Sequence, residues 1–202
     1  MSDLKKLYLD IHNKMSAEHG FSSKALWGSE NSQRIRFEVL TKCIDFSKSE
    51  MNILDIGSGL GHLYGFLNEQ GLSFNYTGLE INQSFFEQSK CSFPNGNFIL
   101  GDVSNLKELE GKFDYSFASG IYNLGNRSDT QKCFIDDCRI IFNKTKEAFS
   151  VNFLSTNSKR QDEISVYHDP CDIIALIQDK ITNNYEVFHN YLPNDFTITI
   201  YK

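Results

Sequence analysis

Ile53-Leu54-Asp55-Ile56-Gly57-Ser58-Gly59-Leu60-Gly61-His62-Leu63 is the stretch that decides the fold. A short β-type run ends in an acid, three glycines alternate with other residues, and a helical pattern begins at once. That is a strand, a tight turn and a helix N-terminus, with the turn stripped of side chains. Glycine lets the backbone take positive φ and lets a ligand approach main-chain N–H groups closely. The spacing excludes one reading. A dinucleotide fingerprint, G-x-G-x-x-G counted from Gly57, needs its third glycine where His62 stands.

Outward from this turn, strands and helices alternate, which argues for a parallel sheet with crossover helices. Strands are expected at Asn52–Ile56, Asn75–Glu80, Asn97–Leu100, Phe113–Ser119 and Ala148–Leu154. Helices follow the first, second and fourth, the first ending at Gly71 and the last spanning Asp129–Phe142. Asp169-Pro170 reads as a helix start, with an Asp cap and proline at the first helical position. Two β-rich runs, Tyr185–Tyr191 and Phe196–Tyr201, then close the chain, and a joint as short as Leu192–Asp195 makes them an antiparallel hairpin. Upstream of Met51 the chain reads as helical, with Leu4, Leu7, Tyr8 and Ile11 on one face. A second helix is capped by Ser29 or Ser32, with Ile35, Val39, Leu40 and Ile44 inward.

The pattern D-x-G-x-G-x-G from Asp55 resembles motif I of the class I S-adenosylmethionine-dependent methyltransferases. The resemblance covers Met51–Lys202 and implies an α/β fold: a doubly wound, seven-stranded, mostly parallel sheet with a C-terminal antiparallel hairpin. Residues 1–202 are read as one domain, 1–50 forming a helical cap or lid and 51–202 the cofactor-binding core. Segment 18–37, with Glu18, His19, Trp27 and Arg36, resembles a bacterial subgroup of these enzymes but brings no substrate with it.

In a doubly wound sheet ligands sit at the carboxyl ends of the strands, and polar residues fall there in order. The resemblance gives them roles toward S-adenosylmethionine. Gly57, Gly59 and Gly61 bring the backbone against the methionine and ribose portion. Asp55 orients the loop and helps hold the ammonium. Glu80 accepts from both ribose hydroxyls, because a carboxylate can pair with a diol. Ile81 lies against the adenine face, Asp102 accepts from the adenine amino group, and the Val103 N–H meets the ring. The Ser119 or Gly120 carbonyl contacts the ammonium. Trp27 and Arg36 are placed on the cofactor side, Arg36 pairing with the methionine carboxylate; a packed Trp and a surface Arg account for them equally well.

Methyl transfer from a sulfonium mainly needs alignment, and a hydroxyl or carboxyl acceptor can also use a general base. Candidates for that base are His12 and His19 in the cap, and His168 and Asp169 after the fifth strand. Tyr122 and Asn123 follow the fourth strand, and Asn152 lies within the fifth. Each has a plainer role open to it: His12 as a surface residue, Asp169 as a helix cap. Ser119-Gly120-Ile121-Tyr122-Asn123 lacks the Asn/Asp-Pro-Pro-Tyr/Phe signature of amino-methylating nucleic-acid enzymes. No G-x-S-x-G elbow and no G-K-[ST] phosphate loop occurs.

Bulk properties narrow the class further. A net charge of −6 disfavours a phosphate-backbone partner. Five cysteines form no C-x-x-C pair and no zinc spacing, so neither disulfides nor a metal are expected. With no signal peptide apparent and no apolar run of membrane-spanning length, a cytoplasmic protein is expected. The expectation is therefore methyl transfer from S-adenosylmethionine to a small-molecule acceptor, at an oxygen of a sugar, acid or other metabolite. The alternatives are a non-catalytic S-adenosylmethionine-binding or scaffold protein, and N-methylation of a small molecule or protein.

Overall fold

A computed structural model describes residues 3–21 and 29–202. Its elements are α1 (Asp3–His19), α2 (Glu30–Leu40), β1 (Met51–Ile56), α3 (His62–Glu69), β2 (Phe74–Glu80), α4 (Gln83–Ser92), β3 (Asn97–Leu100), β4 (Phe113–Ser119), α5 (Arg127–Lys144), β5 (Thr145–Leu154), α6 (Pro170–Lys180), β6 (Tyr185–Phe188) and β7 (Asp195–Tyr201). A short 3-10 turn, Val103–Lys107, links β3 to β4. The seven strands form one sheet in the order β3-β2-β1-β4-β5-β7-β6. All pair in parallel except β7, which is antiparallel to both β5 and β6.

The strand sequences explain why the sheet is covered on both faces. In β1, Met51 and Ile53 pack with Phe37, Leu40, Leu63 and Phe66 of α2 and α3. Leu54 and Ile56 point the other way, into a core with Phe134 and Ile141 of α5 and Ile173 and Ile177 of α6. A strand buried on both sides reads as continuous apolar sequence rather than alternation. Register then sets the site. Ile56 pairs with Leu79 and Ala118, Glu80 with Leu100, Ser119 with Asn152, and Leu154 with Asp195. The carboxyl ends of the five parallel strands and the amino end of β7 therefore share one rim.

Three expectations change. Val39, Leu40 and Ile44 are buried as expected, but Gln33 and Phe37 are buried with them and Ile35 only half-buried, because this face meets α3 and the sheet. The helical region before Met51 also divides. Helix α2 is part of the core layer, and α1 lies over the strand ends. β6 stops at Phe188, leaving six residues rather than four before β7.

Candidate active site

The glycine turn supplies the floor of the site. Gly57, Gly59 and Gly61 have φ of 68°, 56° and 79°, a region that costs an L side chain energy. A Cβ on Gly57 would also stand 2.3 Å from Ile121 Cγ2. The loop is pinned from β2: Ser58 N donates to Leu79 O (2.9 Å), and Gly59 N donates to Glu80 Oε2 (2.7 Å). The other carboxylate oxygen of Glu80 accepts from Asn82 N (2.7 Å). Glu80 is 4% exposed. Burial raises its carboxyl above the usual range, against the pull of the Asn82, Gly59 and Ile81 N–H groups.

Asp102 stands at the next strand end. Gly101 N donates to Glu80 O (2.9 Å), which ties the two ends together. Asp102 caps the 3-10 turn through Ser104 N (2.7 Å), and its second oxygen accepts from Lys5 Nζ (2.5 Å). Burial pushes this carboxyl up, but the Lys5 and Ser104 hydrogen bonds outweigh it and hold it below the usual range. At the end of β4, Gly120 N donates to Asn152 Oδ1 (2.7 Å) and Asn152 Nδ2 donates to Ser119 Oγ (3.1 Å).

Helix α1 makes the roof. Besides Lys5, Tyr8 donates its hydroxyl to Ile121 O and accepts from Leu124 N (3.2 Å), and Asn13 Oδ1 accepts from Asn82 Nδ2 (2.8 Å). Between roof and floor lies a cavity of about 580 Å3, within the range of small-molecule sites. Its lining is mainly apolar, with Leu4, Ile11 and Met15 from α1 facing Ile121 and Leu154.

The structure brings most of the expected cofactor residues to this cavity. Gly57, Gly59, Glu80, Ile81, Asp102, Val103, Ser119, Gly120 and Arg36 all line it. Gly61 and Asp55 do not. Gly61 caps α3 against Phe93 and Phe98, and Asp55 turns under the sheet to accept from Tyr76 Oη (2.6 Å). Burial, with the charge of Glu80, pushes the Asp55 carboxyl up to about 7 despite the Tyr76 hydrogen bond. Arg36 forks onto Asp195, Nε to Oδ1 at 2.7 Å and Nη2 to Oδ2 at 3.0 Å. Trp27 and the side chain of His19 lie outside the described residues.

Of the candidates, His12, Tyr122 and Asn123 reach the cavity. The His12 ring packs against Tyr8 and Phe85, and burial pushes its imidazole down to about 4. Tyr122 is buried, stacks on Phe153 and donates to Asp137 Oδ2 (3.2 Å). His168 is a core ring instead. It is fully buried against Phe153, and its Nε2 lies 2.8 Å from Tyr122 O. Asp169 spends its carboxylate on capping α6 through Cys171 N (2.8 Å). Lys5, Tyr8, Cys133, Asp137 and Asp195 line the cavity without having stood out in the sequence. One signal was available: Cys133 and Asp137 are one turn apart beside the apolar stripe Phe134-Cys138-Ile141 of α5.

A family model described as a methyltransferase domain matches residues 53–141. Rv1506c of Mycobacterium tuberculosis, whose name assigns it to the methyltransferases, is 30% identical over 160 residues, covering 75% of this chain and 93% of that protein. The chain belongs to the class I S-adenosylmethionine-dependent methyltransferases. This methyltransferase is also similar to the demethylmenaquinone methyltransferase of Thermotoga maritima, 26% identical over 109 residues, which cover 54% of this chain and 46% of that one. It shares its fold with the magnesium protoporphyrin IX methyltransferase of Synechocystis PCC 6803, solved with bound S-adenosylmethionine: TM-score 0.71 at 12% identity over 100% and 98% of the two chains.

The methyltransferase thus has a cavity with two polar ends and an apolar middle. At one end Lys5, Asp102 and Asp137 meet; at the other Arg36 pairs with Asp195 and the 162–165 turn closes the wall. No helix among the described residues is long and apolar enough to cross a membrane.

Proposed function

We propose that this methyltransferase methylates an oxygen of a small, largely apolar molecule held beneath α1, and that the oxygen is already acidic: a carboxylate or an acidic hydroxyl. The observation that carries the reading is one continuous cavity joining the glycine turn to the apolar roof.

The residues fit the cofactor. Glu80 offers a buried carboxylate to a diol, Ile81 and Val103 offer apolar surface to a ring, and Asp102 offers an acceptor to an exocyclic amine. The Ser119 and Gly120 backbone and the positive-φ glycines line the remaining edge. S-adenosylmethionine supplies an electrophilic methyl group on a sulfonium leaving group. Alignment does most of the rest: an acceptor oxygen lone pair forms the new O–C bond while the C–S pair stays on sulfur.

Away from the end where Asp102 and Asp137 meet, the described residues of the cavity offer few strong general bases, and this favours an acceptor that needs none. The His12 imidazole is too weakly basic at about 4. Asp195 is committed to Arg36, and Asp162 accepts from Ile164, Ser165 and Tyr167. An acceptor that loses its proton unaided needs no such base. Beneath Leu4, Ile11 and Met15, an apolar body suits the roof.

Titration calorimetry with S-adenosylhomocysteine should show binding in the micromolar range, and NAD should show none. No binding to the folded protein would remove the cofactor assignment. With S-adenosylmethionine, a panel of apolar carboxylic acids, phenols and amines should give S-adenosylhomocysteine with the acids or phenols. Turnover confined to amines would overturn the choice of oxygen.

A further inference from the structure

We propose that Asp137 reads the adenine of the cofactor, its carboxyl donating from Oδ1 to N7. The inference rests on the cofactor lying along Glu80, Ile81 and Asp102 as described above.

Asp137 is otherwise hard to account for. It is an acid on the inner side of α5, lining the cavity, and among the described residues it makes no salt bridge. Its two close donors, the Tyr122 hydroxyl (3.2 Å) and the Cys133 thiol (3.6 Å), both act on Oδ2. Among the described residues no group bonds Oδ1, which leaves that oxygen for a ligand. Asp137 also shares its wall with Asp102: Lys5 acts electrostatically on both, and the Asp102 charge acts on Asp137. The two carboxyls therefore line one cavity, the one in which the adenine is expected.

The chemistry of the pair divides the labour. Adenine offers its N6 amino group between two acceptors, N1 on one edge and N7 on the other. Asp102 and the Val103 N–H serve the N1 edge. The N7 edge presents a donor beside an acceptor, and an asparagine amide matches it bidentately. A neutral carboxyl supplies the donor half of that match, an O–H at Oδ1 for N7, while Oδ2 keeps Tyr122 and Cys133 as its donors. Burial, opposed by the Cys133 and Tyr122 hydrogen bonds, pushes Asp137 up to about 6, so that holding a proton beside a ligand is within easy reach.

Calorimetric titration of the wild type with S-adenosylhomocysteine and with its 7-deaza analogue tests the N7 contact without any variant. We expect the 7-deaza compound to bind about five- to tenfold more weakly, as for one lost hydrogen bond. Asp137→Asn should keep that preference, whereas Asp137→Ala should bind both compounds equally. Equal binding by the wild type, or a preference that survives Asp137→Ala, overturns the inference. Failure of the wild type to bind S-adenosylhomocysteine at all would instead strike the cofactor assignment beneath it.

Discussion

The floor and the roof of the cavity are built on different principles. The floor is backbone: positive-φ glycines, strand ends aligned by register, and a buried carboxylate holding the turn through main-chain N–H groups. The roof is one helix hung from side chains, with Lys5, Tyr8 and Asn13 making its polar contacts. Backbone geometry tolerates little substitution, whereas side-chain tethers can be exchanged one at a time. We take the floor to fix the cofactor and the roof to fix the acceptor. The family match runs from β1 into α5, covering the floor and none of α1.

If the division is right, the largest effects come from the floor. Gly57→Ala places a methyl group at φ 68° and against Ile121. The conformation costs about 1–2 kcal/mol, and the overpacking about 1–3 kcal/mol more. Urea denaturation should show that loss, and S-adenosylhomocysteine binding should fall with it. A variant as stable and as tightly binding as the wild type would mean that the turn yields, and the contrast with the roof would disappear.

Asp55 gives the next effect, under the floor. Its carboxyl stands at about 7 folded and about 4 unfolded. The folded state therefore holds the proton more tightly, so this group's contribution is fully present below about pH 4. It declines as pH rises toward 7 and is constant above. Three pH units at about 1.4 kcal/mol each bound the loss at about 4 kcal/mol. Asp55→Asn keeps an acceptor for Tyr76 and removes the ionisation. Its stability should fall less than that of the wild type between pH 5 and pH 8, as read by denaturant midpoints. Parallel pH profiles for the two proteins would show that Asp55 ionises freely.

Glu80→Ala should weaken S-adenosylhomocysteine binding by about 1–3 kcal/mol, the loss of a charge-assisted pair. Calorimetry checks it, with Glu80→Gln keeping the acceptor for Gly59 N. Unchanged affinity in both would place the ribose elsewhere.

The same division explains what the sequence made legible. The glycine turn, Glu80, Asp102 and the Asp169-Pro170 helix start are local signals, each written in a few neighbouring residues. Strand bounds for β3 and β4 came out as expected because glycine, proline and acids punctuate them. Pairings across the fold left no local trace. Arg36 with Asp195, Lys5 with Asp102, and His168 beneath Tyr122 join residues far apart in the chain. Periodicity placed Val39, Leu40 and Ile44 inward as found, but missed Gln33 and Phe37 and put Ile35 among them, because burial follows the neighbours α2 meets. His168 drew attention as a titratable residue beside a helix start, yet ring packing had absorbed it into the core.

On the roof, Tyr8→Phe removes the donor to Ile121 O and the acceptor for Leu124 N. The cost should be about 0.5–1.5 kcal/mol, visible as faster hydrogen exchange in α1 with the sheet unchanged. Faster exchange across β1 and β4 as well would tie the roof to the floor.

The smallest effect should belong to Lys5. Its partner Asp102 is an expected adenine contact, so the ion pair and the cofactor compete for one carboxylate. The side chains of the pair are 39% and 27% exposed, and a pair that wet contributes about 0–1 kcal/mol. Lys5→Met should therefore leave stability within about 1 kcal/mol and bind S-adenosylhomocysteine as tightly as the wild type, or up to a few-fold more tightly. Salt distinguishes competition from indifference. Screening weakens the wild-type pair, so raising ionic strength should bring the wild-type affinity up toward that of Lys5→Met, whose own affinity stays flat. A tenfold loss of affinity in Lys5→Met would instead make this roof residue part of the cofactor's grip, and floor and roof could no longer be assigned to separate ligands.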